Sequence, residues 1–252
     1  MAVRDWADYL YPNSFVLVNK LGLTGENQLR VAERALSADR QRAILSGQVW
    51  IPKTYDAGHL RAIHRELFKD VYDWAGEFRT VDISKNGFDF VPVPLLGRYF
   101  QGVRDGIAST QWDRLNRDQF VDAAARVFVQ VNTGHPFREG NGRTTRIFME
   151  HVSRQSPFTL NFSEFLARPS QARAWNAACA ASYALPNGSV HVDPSLRGIF
   201  AHIAHDRPAA RAPLGTHAAL FPQAAQAAGV APSYAPRAQP AATQNRGITL
   251  ER

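Results

Sequence analysis

The chain has 252 residues, of which 45% are hydrophobic, 11% aromatic and 20% charged. This composition is typical of a globular protein and accommodates one domain of about 200 residues with an appended segment. No run approaches the ~18 apolar residues of a membrane helix, and the N-terminus resembles no secretory signal, so we expect a cytoplasmic protein with no membrane partner. The single cysteine, Cys179, excludes an intramolecular disulfide, and the net charge of +7 favours an anionic ligand or nucleic acid.

The composition changes sharply at Pro208. Residues 208–252 contain 14 Ala and 6 Pro in 45 residues and carry a net charge of +3. Such a segment cannot bury enough apolar surface to offset its chain entropy, which predicts a disordered tail or linker. We therefore expect one domain over 1–207, including an N-terminal helical extension. The domain keeps a net charge of only +4, so nucleic acid is the weaker of the two partner hypotheses.

Apolar periodicity within this domain is mostly helical. It predicts helices over residues 24–46, 56–72, 117–132, 143–154, 163–167, 170–184 and 194–205. The exception is 80–93, where apolar residues alternate around Asn86-Gly87, a strong hairpin signal. Because one hairpin cannot form a sheet core, we expect an all-α bundle with one β-hairpin as an exposed flap.

A glycine-rich loop follows the most strongly periodic predicted helix and ends where the next one begins. Gly140 and Gly142 flank Asn141 at this point. Two glycines allow backbone N–H groups to converge, and a helix N-terminus adds partial positive charge, which together favour bound phosphate. Arg143 and Arg146 are one helical turn apart and supply two guanidinium groups for phosphate oxygens.

The same loop contains a histidine and a carboxylate. His135 has an ordinary pKa of about 6.5 and can accept a proton from an attacking hydroxyl near neutral pH. Glu139, placed among cations, suits a Mg²⁺ ion that bridges it to a polyphosphate. Phe137 is apolar within a polar loop, so we expect it to anchor the loop in the core. A histidine or a Gly-Asn-Gly alone is ordinary, but the combination is hard to explain as a simple turn.

The string from His135 to Arg146 matches the signature of the Fic family, His-x-Phe-x-(Asp/Glu)-Gly-Asn-Gly-Arg-x-x-Arg, at every defined position. The resemblance extends to 72–79, 160–163 and 193–200, and so covers roughly 9–205. The opening stretches 9–13 and 19–22 resemble those of bacterial Fic toxins and type IV secreted Fic effectors. The resemblance to the Fic family implies the helical Fic fold and the activity of a protein adenylyltransferase, which transfers AMP from ATP to a Tyr, Ser or Thr hydroxyl.

The resemblance also implies a role for each matching residue. His135 would be the base, Glu139 the Mg²⁺ ligand and Phe137 a structural residue. The anion hole of the nucleotide site would comprise Gly140, Asn141 and Gly142. Arg143 would bind the β-phosphate and Arg146 the γ-phosphate. The flap would hold the target segment by strand addition through Ile83, Ser84, Lys85, Asn86, Gly87 and Phe88.

Three other activities stay open at this stage. Base selection lies outside the motif, so UMP or another phosphate-linked group is an alternative to AMP. Fic proteins that act as kinases depart from the glycine-asparagine region, which is intact here. A non-catalytic nucleic-acid binder would use the arginines and the tail, but the sequence has no nucleic-acid motif.

Regulation and target are inferred from the resemblance as well. Many Fic proteins are inhibited by a Ser/Thr-x-x-x-Glu-Gly/Asn helix whose glutamate pairs with the second arginine. Here Glu26-Asn27 is the only such pair outside the loop, and Gly22, four residues before Glu26, has no hydroxyl. We therefore expect a toxin with a separate small antitoxin that supplies a glutamate to Arg146. The alternative is an effector delivered by type IV secretion. The target candidates are type II topoisomerase subunits for a toxin and host small GTPases for a secreted effector.

Overall fold

The computed structural model describes residues 4–85, 87–185 and 187–208. The predicted tail over 208–252 lies outside the described residues except for Pro208, and so does Asn86 of the flap. The helices are α1 Glu26–Leu45, α2 Ala57–Phe68, α3 Leu96–Ser109, α4 Arg117–Gly134, α5 Asn141–Ser153, α6 Phe162–Leu166, α7 Pro169–Ala181 and α8 Pro194–Ile203. The prediction of a mostly helical fold is confirmed.

Helices α4 and α5 form the centre of the domain. Helix α5 packs between α2 and α4, and α4 also contacts α3 and α8. Apolar side chains of both central helices are fully buried, among them Val129, Ile147 and Phe148. Helix α4 begins with a capping box in which Asn116 and Gln119 bond each other's backbone N–H groups. The loop that joins α4 to α5 is therefore held between two rigid, buried elements.

In the part of the chain that the structure describes, the strands form three antiparallel pairs. They are β1 Ser84–Lys85 with β2 Phe88–Asp89, β3 Phe158–Leu160 with β6 Ala204–Asp206, and β4 Tyr183–Ala184 with β5 Val190–His191. Only the first pair, the predicted flap hairpin, was expected from the sequence. In each of the other two pairs one strand, β4 or β6, replaces the end of a predicted helix.

The predicted helix over 170–184 ends three residues early, at Ala181. The backbone of Ser182 is extended, and its hydroxyl donates to the Ala178 carbonyl at 2.9 Å. The N–H of Ala184 donates to the Thr133 hydroxyl on α4 at 3.1 Å. These bonds satisfy a carbonyl of the last turn of α7 and an N–H beyond it, so the chain turns into strand β4 instead.

Helix α3 was not predicted. It contains Gly97, Gly102 and Gly106, which lower helix propensity, and two prolines precede it. Leu96, Phe100, Val103 and Ile107 nevertheless form a fully buried stripe at helical spacing. Packing of this stripe against α4 outweighs the weak local propensity. Across the described ranges, no helix combines the length and apolarity needed to cross a bilayer.

Candidate active site

Two residues with left-handed backbone conformations shape the loop between α4 and α5. His135, at the C-terminus of α4, has φ +41°, and Gly140, immediately before α5, has φ +81°. A Cβ atom on Gly140 would lie 2.3 Å from the Phe68 ring of α2. Both the backbone conformation and the close approach therefore require glycine at this position.

A buried histidine of α2, His64, packs against the loop between α4 and α5. The His64 ring stacks on Phe137 with centroids 3.9 Å apart, and Phe137 is 1% exposed. His64 Nε2 donates to the Glu139 carbonyl at 3.0 Å, and its Nδ1 accepts from the Gly76 N–H at 2.8 Å. Burial lowers the pKa of His64 to about 3, so the ring is neutral and has one donor and one acceptor.

The Asn141 side chain closes the loop on itself. Its Oδ1 accepts from the Phe137 N–H at 2.9 Å, and its Nδ2 donates to the Phe137 carbonyl at 2.7 Å. The side chain is buried and both ends of its amide are bonded. The side chain of Asn141 therefore braces the loop, while its backbone N–H lies at the start of α5, where the anion hole is predicted.

The N-terminus of α5 presents donors that have no acceptor in the helix. The first helical bond runs from the Thr144 N–H to the Gly140 carbonyl, which leaves the N–H groups of Asn141, Gly142 and Arg143 without an intrahelical partner. No side chain of the described residues caps this helix. With the positive end of the helix dipole, these three N–H groups form a site suited to a phosphate or carboxylate.

The two arginines of the motif have different surroundings. Arg146 extends back toward the start of α5, where its Nη1 lies 3.4 Å from the Cβ position of Gly142. Among the described side chains, no carboxylate pairs with Arg146, and burial followed by the Arg143 charge lowers its pKa to about 10. Arg143 instead forms an ion pair with Glu33 of α1. The two arginines therefore differ, because Arg143 has a glutamate partner on α1 and Arg146 has no carboxylate partner among the described side chains.

His135 is oriented for proton transfer. Its Nδ1 lies 3.2 Å from the Asn132 carbonyl, which can only accept, so Nδ1 holds the proton and Nε2 has a free lone pair. The ring stacks on Phe90, with centroids 3.9 Å apart and planes 18° from parallel. Burial lowers the pKa of His135 to about 4, and the charges of Lys85 and Arg79 act in the same direction. The imidazole is consequently neutral near pH 7.

Arg79 joins this loop to the base of the flap. Its side chain is fully buried and donates to the carbonyls of His135 at 3.0 Å and Val81 at 2.9 Å, and also to that of Val91. Its backbone N–H donates to the Pro136 carbonyl at 2.8 Å. One side chain thus fixes the two ends of the hairpin segment relative to the histidine.

The flap hairpin is paired in the register Ser84 with Asp89 and Lys85 with Phe88. Pairing continues at its base, where the Phe90 N–H donates to the Ile83 carbonyl at 3.3 Å. Phe88 and Phe90 are in edge-to-face contact, which continues the aromatic surface from His135 toward the turn at Gly87. Except for Asn86, which is not described, the predicted flap residues therefore belong to a hairpin that contacts the histidine through Phe90.

Glu139 is the carboxylate nearest the helix N-terminus in sequence. Its Oε1 accepts from the Gly140 N–H at 2.8 Å and lies 3.4 Å from Arg143 Nη2, while the side chain stays 45% exposed. Within the described part of the chain, no three His, Cys, Asp or Glu side chains cluster as a metal site. A single carboxylate beside a phosphate site nevertheless suits Mg²⁺, which retains waters and substrate oxygens as its other ligands.

Sequence reasoning missed three site residues: Glu33, His64 and Phe90. Glu33 is remote from the motif, and nothing in its neighbourhood marks it. His64 and Phe90 lie at apolar-periodic positions, where core packing is the usual explanation. Phe90 was within the predicted hairpin, and its alternation with Phe88 was the available signal.

Comparison with known proteins confirms the family resemblance. Residues 54–153 match the family model described as Fic/DOC family. Protein adenylyltransferase VbhT of Bartonella schoenbuchensis is 33% identical over 155 residues, which cover 61% of this chain and 32% of that protein. A probable protein adenylyltransferase Fic of Salmonella typhimurium is 31% identical over 155 residues, which cover 61% of this chain and 76% of the relative. The predicted enzyme class, a nucleotidyltransferase, is confirmed at the level of the family.

A solved structure agrees with the fold. The N-terminal Fic domain of a VirB-translocated effector of Bartonella quintana, which has bound ADP, matches with a TM-score of 0.65 at 25% identity. The match covers 79% of this chain and 95% of the other. The matched part of this chain is longer than the segment 54–153 that matches the family model.

Proposed function

Because the chain belongs to the Fic/DOC family, we propose that it transfers AMP from ATP to a Tyr, Ser or Thr hydroxyl of a target protein. The observation that supports this most directly is the pairing of two features in one loop. His135 has a free Nε2 lone pair, and six residues later α5 begins with three N–H groups that have no acceptor in the helix. A base beside an anion site is what attack on a phosphate requires.

The reaction follows from these groups. A hydroxyl of the target donates its proton to His135 Nε2 as its oxygen attacks the α-phosphorus of ATP. The bond from this phosphorus to the oxygen that bridges to the β-phosphate breaks, and pyrophosphate leaves. The N–H groups at the start of α5 stabilise charge on the phosphate oxygens, Arg143 holds the β-phosphate, and Arg146, which has no carboxylate partner in the described chain, holds the γ-phosphate. The ADP of the Bartonella quintana structure supports a nucleotide at this site.

We assign Glu139 as the protein ligand of Mg²⁺. Its side chain is 45% exposed, and its Oε2 accepts no hydrogen bond from the described residues. When bound, the ion would neutralise phosphate charge and help to orient the polyphosphate. Glu139 also accepts the Gly140 N–H, which fixes its carboxylate at the edge of the anion site.

The flap is the proposed contact for the target. Its short strands, Ser84–Lys85 and Phe88–Asp89, have few internal bonds and an exposed edge that can accept a target segment as a third strand. Arg79 fixes the flap relative to His135. A target segment that pairs with the flap would therefore present the target hydroxyl at a defined distance from His135 Nε2.

We propose that the chain is a toxin restrained by a small antitoxin whose glutamate pairs with Arg146. The absence of a carboxylate partner for Arg146 among the described residues supports this proposal. Type II topoisomerase subunits are the first targets to test for a toxin that acts in the bacterial cytoplasm. Delivery by type IV secretion to a host small GTPase is the second candidate, supported by the VirB-translocated relative.

Mass spectrometry of modified proteins tests the proposed activity. Purified protein is incubated with Mg²⁺-ATP and bacterial lysate beside His135→Ala, and peptides are searched for hydroxyl side chains that carry AMP. We expect such peptides with the wild-type protein only. Phosphorylated peptides that depend on His135 would indicate a kinase, and UMP adducts after addition of UTP would indicate a different donor. Equal spectra for both proteins would contradict catalysis by His135.

A further inference from the structure

We infer that Glu33 of α1 is a positioning residue of the nucleotide site, an inference that rests on the proposed function. Together with Ser37 it holds the Arg143 guanidinium in place before a phosphate binds. Helix α1, Glu26–Leu45, lies outside the segment that matches the family model. The nucleotide site would then extend to an element that the motif does not include.

Four groups contact Arg143: Glu33, Ser37, the Phe68 ring and, more distantly, Glu139, whose Oε1 lies 3.4 Å from Nη2. Its Nη2 donates to Glu33 Oε1, and its Nη1 donates to Ser37 Oγ at 2.8 Å. The guanidinium carbon lies 4.6 Å from the centre of the Phe68 ring, in a cation–π contact. The Glu33 and Arg143 side chains are only 11% and 22% exposed. Glu33 and Ser37 are one turn apart, so a single face of α1 supplies both acceptors.

A second bond fixes Glu33 itself. Its Oε2 accepts the hydroxyl of Tyr72, which is buried and stacks on Trp74 with centroids 4.2 Å apart. Burial, followed by the Glu33 charge, raises the pKa of Tyr72, so the hydroxyl keeps its proton and donates it. The Tyr72 hydroxyl therefore anchors Glu33 independently of Arg143, so the carboxylate stays in place when the arginine moves.

The contacts favour positioning over inhibition. A guanidinium has five N–H donors, and Glu33, Ser37 and Glu139 take at most three of them, which leaves donors for a phosphate. Glu33 pairs with the first arginine of the motif, whereas Arg146 has no carboxylate partner in the described ranges. The sequence around Glu33, with Leu29 four residues earlier and Arg34 next, also differs from the inhibitory pattern. An arginine that is already ordered loses less conformational entropy when it binds a phosphate.

Calorimetry with Mg²⁺-ADP tests the inference on Glu33→Ala, Ser37→Ala and Glu33→Gln. We expect about tenfold weaker binding for Glu33→Ala and a smaller loss for Ser37→Ala. Glu33→Gln should restore much of the affinity, because its amide oxygen can still accept from Arg143. In the transfer assay, Glu33→Ala should raise KM for ATP far more than it lowers kcat. Arg40→Ala is the matched control, because it removes the ion pairs of α1 with Asp70 and Glu66 without touching Arg143.

Each other outcome overturns the inference. Unchanged binding by Glu33→Ala would mean that Arg143 needs no positioning, and tighter binding would mean that Glu33 competes with phosphate. An equal loss in Arg40→Ala would assign the effect to the packing of α1. If the wild-type protein binds no nucleotide, the proposed function fails, and solvent exchange of the Arg143 Nη–H groups, measured by NMR, then tests positioning separately. Slow solvent exchange in the wild type and fast exchange in Glu33→Ala would support positioning, whereas equal rates would overturn it.

Discussion

The rings of His135 and Phe90 are stacked, with centroids 3.9 Å apart and planes 18° from parallel. Phe90 directly follows strand β2 of the flap, and His135 lies at the C-terminus of helix α4. This contact therefore joins the proposed target-binding element to the proposed base. The hydrogen bond from Nδ1 to the Asn132 carbonyl fixes the other side of the ring. The flap therefore takes part in orienting the base as well as in holding the target.

Phe90→Ala should lower kcat/KM by roughly tenfold, because the loss of an aromatic pair of about 0.5–1.5 kcal/mol frees the imidazole to rotate. Water should also enter beside the ring, so the pKa of His135 should rise from about 4 toward its ordinary value. Transfer kinetics and an NMR titration of the histidine measure the two effects. Phe15→Ala is the control, because Phe15 is 95% exposed. An unchanged titration would contradict this role of Phe90.

The pH dependence of kcat/KM should reflect the buried state of His135. Its pKa of about 4 in the free protein keeps the imidazole neutral, and therefore competent as a base, throughout the range above pH 5. Activity should stay constant from about pH 5.5 to 8 and decline only as the pH falls toward 4. A histidine with an ordinary pKa would instead lose half its activity near pH 6.5. Rate measurements across this range distinguish the two cases.

Gly140→Ala should destabilise the protein more than Gly47→Ala does. Both glycines have φ +81°, so an alanine at either position incurs the same backbone cost of about 1–2 kcal/mol. Only at Gly140 does the added Cβ meet another group, the Phe68 ring at 2.3 Å, whereas nothing lies within 4 Å at Gly47. We expect a further loss of about 1–3 kcal/mol, measured by urea unfolding. Equal losses would mean that the loop relaxes around the clash.

Arg79→Lys should loosen the flap while keeping the charge. A lysine ammonium cannot span the carbonyls of His135, Val81 and Val91 that the guanidinium bonds together. We expect faster hydrogen exchange at the N–H groups of Phe90 and Val91 and a lower rate of transfer. Arg197→Lys, in an exposed ion pair with Asp122, is the control. Unchanged exchange in Arg79→Lys would contradict the link between flap and loop.

What could be predicted from the sequence was local. Residues 135–146 are contiguous, so their combination of base, carboxylate, glycines and arginines was visible without a fold. The partner of Arg143 was not, because Glu33 is 110 positions away in the chain and meets it only through the packing of α1. The role of the Asn141 side chain was also hidden, since its bonds to Phe137 depend on how tightly the loop closes.

The fold was predictable to a similar extent. Helices with a regular apolar stripe and a capping residue, such as α2 and α4, were located within a few residues. Helix α3 was missed because its glycines weaken the local signal, which only the packed core overrides. Strands β4 and β6 were assigned to helix ends, because pairs of two or three residues depend on distant partners that periodicity does not reveal.

The central claim is that His135 directs the transfer of AMP from ATP to a protein hydroxyl. Its most direct test uses ATP labelled at the α-phosphate in one reaction and at the γ-phosphate in another, each with Mg²⁺ and lysate. We predict a protein band labelled only from the α-phosphate and lost in His135→Ala. A band labelled only from the γ-phosphate, or one that persists in His135→Ala, would contradict the account.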